Sequence, residues 1–69
     1  MIAVANPPTL TRREREVGRM LLDDHSTVEI AEELILELQV VRKYKRHLFQ
    51  KLEIDHPEDL RHYRELLEE

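Results

Sequence analysis

Twice in this chain a hydroxyl residue is followed three positions later by a glutamate at the head of an apolar run: Thr11-Arg12-Arg13-Glu14 and Ser26-Thr27-Val28-Glu29. Each is a capping box. The hydroxyl oxygen accepts from the N–H three residues on, and the glutamate reaches back to the N–H of the capping residue. Two helix starts are thereby pinned close together, and the apolar spacing agrees with both. Val17, Met20 and Leu21 fall at i, i+3, i+4, and Ile30, Ala31 and Leu34 make the second buried side. Asp23-Asp24-His25 separates the two. From Leu38 to Leu52 a third stripe runs through Val41, Tyr44, Leu48 and Leu52, and after Asp55-His56 a proline opens a fourth helix with Leu60, Tyr63 and Leu67 along one side. The pattern predicts an all-α domain over residues 10–69, with helices near 11–23, 27–34, 38–52 and 57–67. Residues 1–9, closing on Pro7-Pro8, read as a flexible arm. There is no repeat, low-complexity segment or strand pattern to set against this.

Size limits what such a domain can do. Its 69 residues make one small domain, and a chain this short buries only ~60% of its unfolded surface. With no cysteine, neither disulfides nor a thiolate zinc site can add stability, which leaves helix packing and a partner subunit. No apolar run approaches the ~20 residues that span a bilayer, and the start has no positive flank of a secretory signal. A cytoplasmic protein with no membrane partner is expected. Met1 and the polar end Leu66-Leu67-Glu68-Glu69 fit a complete small product without a sensing domain.

Charge is distributed unevenly. The chain holds 11 basic and 15 acidic residues, a net of −4. Between Gln39 and Leu52, however, there are Arg42, Lys43, Lys45, Arg46 and Lys51, with His47 beside them and no acid; the remainder carries 6 basic against 15 acidic, a net of −9. A local basic stripe on an acidic chain is the footprint that phosphate binding requires. On the predicted third helix Gln39, Lys43, Arg46 and Gln50 lie opposite the apolar stripe, with Arg42 at its edge. Ordinary i, i+4 ion pairing does not explain that face, because it has no acids to pair with. By contrast Arg12, Arg13, Arg15 and Arg19 are interleaved with Glu14 and Glu16, the pattern of a solvated, salt-bridged surface.

Other chemistries find little support. Glu58 and His62 sit at i, i+4 with His56 close by, but there is no HExxH or Cys/His spacing, so no metal site is expected. No glycine-rich phosphate loop is present, and Ser26 is accounted for as a helix cap. Neither an enzyme nor a cofactor is expected. Tyr44 and Phe49 are too few for a base-stacking platform and read as packing residues.

Two short helices, a tight turn and a basic helix make the helix-turn-helix arrangement. In detail the residues resemble the LuxR/GerE-type DNA-binding domain of bacterial transcription regulators, over roughly Leu10 to Leu67. The resemblance is carried by Leu10-Thr11-Arg12-Arg13-Glu14-Arg15-Glu16-Val17, by Ser26-Thr27-Val28-Glu29-Ile30-Ala31-Glu32-Glu33-Leu34, and by Lys51-Leu52. The fourth region of bacterial sigma factors shares part of it. A domain without a sensing module is similar to the family's spore regulators. The resemblance implies that the third helix enters the major groove of double-stranded DNA. Base edges would be read from Arg42, Lys43 and Arg46, whose chemistry suits guanine O6 and N7. Lys45, His47 and Lys51 would hold phosphates, which position a protein without reading sequence. It also implies a homodimer seam on the fourth helix, through Leu60, Tyr63 and Leu67.

The chain departs from that pattern at the start of the third helix. Glu37 and Val40 replace a serine cap and a phosphate-binding threonine, and Leu34, Ile35, Leu36 and Leu38 make the corner apolar. Asp24 and Glu53 stand where the family places glycines. The departures support an alternative: a helix-turn-helix module that grips another regulator or RNA polymerase through Leu36, Leu38 and Val40, since contiguous exposed apolar surface marks protein contacts.

Overall fold

The computed structural model describes residues 9–68. The arm expected over residues 1–9 lies, apart from Thr9, outside the described residues. Three α-helices follow one another, α1 over Arg12–Leu22, α2 over Thr27–Leu34 and α3 over Leu38–Leu52; a 3₁₀ segment, Pro57–Tyr63, then runs directly into a short α4, Arg64–Leu67. There is no strand among the described residues. Both capping boxes close. The N–H of Glu14 donates to Thr11 Oγ1 at 3.1 Å and that of Thr11 to Glu14 Oε1 at 3.0 Å. At α2 the N–H of Glu29 donates to Ser26 Oγ at 3.1 Å and that of Ser26 to Glu29 Oε1 at 2.8 Å.

Two apolar clusters hold the helices together. Val17, Ile30, Ala31 and Val41 join α1, α2 and α3 at one end. Leu10, Leu48, Leu52, Leu60 and Leu67 join α1, α3 and the C-terminal segment at the other. Gly18, the single glycine, lies where α4 approaches α1: a Cβ there would stand 2.6 Å from Leu67 Cδ2 and 3.1 Å from Leu48 Cδ2. A bare Cα lets Leu67 seat between α1 and α3.

The C-terminal segment differs from the sequence reading in two respects. It is not one α-helix, because its first seven residues are 3₁₀. Leu60 and Tyr63 are three apart, the residue period of a 3₁₀ helix, so both turn to the same side. That side faces inward. Leu60 and Leu67 are completely buried in the chain's own core, and the Tyr63 hydroxyl donates to the carbonyl of Leu52 at 3.2 Å. Of the residues expected at a dimer seam, Leu60 and Leu67 are thus buried within the chain itself and Tyr63 is half-buried. A domain this short uses Leu60 and Leu67 of its last apolar stripe to complete its own core.

All three long helices end alike. After α1, α2 and α3 the chain turns through Asp24, Ile35 and Glu53, at φ 65°, 55° and 56°. At each end two N–H groups reach back over the last turn: Asp24 to Leu21 and His25 to Met20, Ile35 to Glu32 and Leu36 to Ala31, Glu53 to Gln50 and Ile54 to Phe49. This is the Schellman arrangement, which favours glycine at the left-handed residue. Asp24 and Glu53 are the positions where the resemblance places glycines, whereas Ile35 reads in sequence only as part of the apolar corner. It is the least suited of the three, because its branched Cβ crowds the backbone in that conformation. Ile35 is also 89% exposed, so its side chain gains almost nothing by burial. Ile35→Asn is expected to stabilise the domain by about 1 kcal/mol, seen as a rise of about 4–8 °C in Tm by thermal circular dichroism.

Candidate nucleic-acid interface

The basic helix is held from behind. Val41, Leu48 and Leu52 of α3 are buried against α1, α2 and the C-terminal segment. At about 3.6 residues per turn, the side opposite those three carries Gln39, Lys43, Arg46 and Gln50, with Arg42 at its edge, and all five are exposed. No described residue forms an ion pair with Arg42, Lys43 or Arg46; the pairs present are Arg13–Glu16, Lys51–Glu14 and Arg64–Glu68. Three free cations thus project from one face of a helix whose other face cannot move without opening the core.

The remaining basic residues of α3 separate into flanks. Lys45 is half-buried, its Nζ 5.6 Å from the centre of the Phe49 ring, within cation–π range. It opens, with Arg42 and Arg46, into a groove of about 770 Å³ that Thr27 of α2 also lines and that Phe49 and Ile54 floor. His47 lies half-buried on the other flank. Lys51 does not belong with them. Its Nζ donates to Glu14 Oε1 at 2.8 Å and to the carbonyl of Thr9 at 3.1 Å. Its ammonium is thus engaged at the start of α1, on the side of α3 away from the free arginines. The Lys51 ammonium, expected at a phosphate, makes here an intramolecular ion pair that ties α3 to the start of α1.

Glu14 sits at the centre of that contact. The residue is 3% exposed and also closes the α1 capping box. Burial by itself raises its carboxyl pKa, but the hydrogen bonds from Lys51 and Thr11 and the Lys51 charge outweigh that, holding it below the usual glutamate range. Glu14 and Lys51 are 37 positions apart in sequence. The pairing arises only when α1 and α3 pack.

The corner leading into α3 is less apolar on its surface than the sequence suggested. Leu36, Leu38 and Val40 are all half-buried, with Leu36 packed on the Val17–Val41 cluster. The large apolar residues that do stand exposed among the described residues are Val28, at 52%, and Ile35, at 89%. Both belong to α2 and the turn that ends it. Glu37 caps α3 through its backbone alone, with no side-chain hydrogen bond to the helix. Among the described residues no cluster of three metal-ligating side chains forms, and no helix is long and apolar enough to cross a membrane.

Against known proteins, residues 8–63 match the family model described as bacterial regulatory proteins, luxR family. The chain is similar to the spore germination protein GerE of Bacillus subtilis (strain 168), 47% identical over 45 residues, which covers 65% of this chain and 61% of that protein. The match thus spans less than two thirds of that relative's length. No solved structure matches this chain. With both capping boxes, the Schellman turn between α2 and α3 and the basic face of α3 inside the matched span, the chain belongs to the LuxR family of bacterial regulatory proteins, a family of DNA-binding transcription regulators and not a class of enzymes.

Proposed function

We propose that this protein is a transcription regulator that lays the outward face of α3 in the major groove of double-stranded DNA. The observation that carries the reading is the stripe of Arg42, Lys43 and Arg46, exposed and free of acidic partners among the described residues. Their planar or multiple donors suit guanine edges. Lys45 and His47 flank them and serve the phosphates on either side of the groove. Anisotropy of a labelled duplex, titrated with salt, tests the reading directly. Affinity is expected to fall linearly on a log–log plot as counterions compete. Binding that is insensitive to salt, or no binding to any duplex, overturns it.

Two copies act together in this reading, but they meet on DNA. The C-terminal segment spends Leu60 and Leu67 on its own core and exposes Arg61, His62, Arg64, Glu65 and Glu68, a charged surface with little to drive pairing in solution. Sedimentation is expected to show a monomer at micromolar concentration. Two copies are expected on a duplex with half-sites ~34 Å apart, one turn of DNA. A stable dimer without DNA contradicts this.

A protein contact is the second reading, favoured by one observation. Val28 stands exposed on α2 and Ile35 in the turn that ends it, and the helix between them exposes Glu29, Glu32 and Glu33. Such a surface suits a basic partner with an apolar centre in the transcription machinery. On this reading Ile35→Glu weakens transcription from a target promoter in a reporter assay while leaving DNA affinity unchanged; equal output from both proteins rejects it.

A further inference from the structure

We infer that Gln39 is a specificity-determining residue that reads an adenine at the end of the half-site entered by the N-terminus of α3. The inference rests on the DNA reading above and adds a base to it. Gln39 is the second residue of α3 and the first whose side chain projects on the outward stripe; Leu38 before it is half-buried and Val40 after it turns toward the flank. The N-terminal residues of a recognition helix are those that reach base edges, so the leading member of the stripe is an amide, ahead of the cations.

What surrounds Gln39 favours a base over a phosphate. Helix N-termini ordinarily attract phosphate through their free N–H groups and dipole. Here the capping residue is Glu37, whose carboxylate forms no cap hydrogen bond and stands as a negative charge at that end. No hydroxyl is offered nearby either, since Leu38 and Val40 are apolar. A phosphate is therefore disfavoured at the one place where this helix end would normally bind it. An uncharged amide suffers no such penalty from Glu37. A glutamine amide pairs two-fold with adenine, its oxygen accepting from N6–H₂ and its nitrogen donating to N7.

The same geometry orders the rest of the half-site. Lys43 lies about one helical turn beyond Gln39, and Arg46 about one turn beyond Lys43. Guanines read by these two, with Arg42 at the edge, therefore follow the adenine in one direction along the groove. Gln50 continues the stripe but is a further turn removed, toward the end of the helix that leaves the groove. The predicted half-site is purine-reading at consecutive contacts: adenine first, then guanines.

Selection of duplexes from a randomised pool, run in parallel with wild type, Gln39→Ala and Gln39→Arg, tests this. Wild type is expected to enrich an adenine at one end of a guanine-containing half-site. Gln39→Ala is expected to lose preference at that position alone and to bind the wild-type site about five- to hundredfold more weakly. Gln39→Arg is expected to change the enriched base there to guanine, as arginine pairs two-fold with guanine O6 and N7. Because Gln39 is exposed, an unchanged Tm in both variants accompanies these results. Identical enriched sites for wild type and both variants overturn the inference while leaving the DNA reading intact. If wild type binds no duplex at all, the DNA reading itself falls, and the assignment of Gln39 with it.

Discussion

The combined Arg42→Ala, Lys43→Ala, Arg46→Ala variant is expected to bind a selected duplex about 10²- to 10⁵-fold more weakly than wild type. Each two-fold contact to a base edge is worth ~1–3 kcal/mol of discrimination, and neighbouring losses do not add fully. The three side chains are exposed and make no ion pair among the described residues, so the fold does not depend on them. Unchanged helicity and Tm should accompany the loss. Two readouts separate base reading from simple attraction. Removing a base contact lowers affinity for the selected site more than for random duplex, whereas removing a phosphate contact lowers both alike and flattens the salt dependence. Lys45→Ala is expected to behave in the second way. Affinity of the triple variant within twofold of wild type on every duplex would remove α3 as the DNA-contacting element.

Lys51→Met should do the reverse: little direct effect on DNA affinity, and a loss of about 2–3 kcal/mol in stability, or roughly 10 °C or more in Tm. The asymmetry of the pair sets the size of the effect. The Lys51 side chain is 37% exposed and that of Glu14 only 4%, so removing the lysine strands a carboxylate out of reach of water. Removing the carboxylate instead leaves an ammonium that can re-solvate. Glu14→Gln is therefore expected to be milder than Lys51→Met, although it weakens the α1 capping box as well. The pair also sets an acid limit. The folded-state pKa of Glu14 is depressed, so its contribution is fully present above the ordinary glutamate range near pH 4.3. It is lost as pH falls through the lower folded value, because the unfolded chain takes up the proton first. Urea melts at pH 7 and pH 3 are expected to separate wild type from Glu14→Gln at the higher pH and to bring them together at the lower. An equal gap at both values contradicts the assignment.

Much of this protein was legible locally. Capping is a matter of three residues' reach, so Thr11, Glu14, Ser26 and Glu29 placed the starts of α1 and α2, and both boxes close. The bounds of α2 and α3 coincide with the sequence reading, Thr27–Leu34 and Leu38–Leu52. The outward face of α3 was equally legible, because a periodicity of about 3.6 residues separates the buried Val41, Leu48 and Leu52 from Gln39, Lys43 and Arg46. These are short-range regularities, and no partner element is needed to see them.

What the chain does with an apolar stripe once formed depends on distant residues. Leu60, Tyr63 and Leu67 have the spacing of a helix face, but the spacing does not say whether the surface opposite belongs to the same molecule or another. Only the packing answers it: Gly18 on α1 leaves the space that Leu67 fills, and the carbonyl of Leu52 accepts from Tyr63. Lys51 is the same case in charge. A lysine on a basic helix reads as a phosphate ligand until α1 brings a buried carboxylate to it from 37 residues away. The sequence by itself determined where helices begin, which way each one faces and the charge that α3 carries outward, because those follow from neighbours within a turn or two. Tertiary structure alone decided which apolar stripe became core and which cation became structural. Both are contests between alternative partners, and long-range contacts settle them through burial and desolvation.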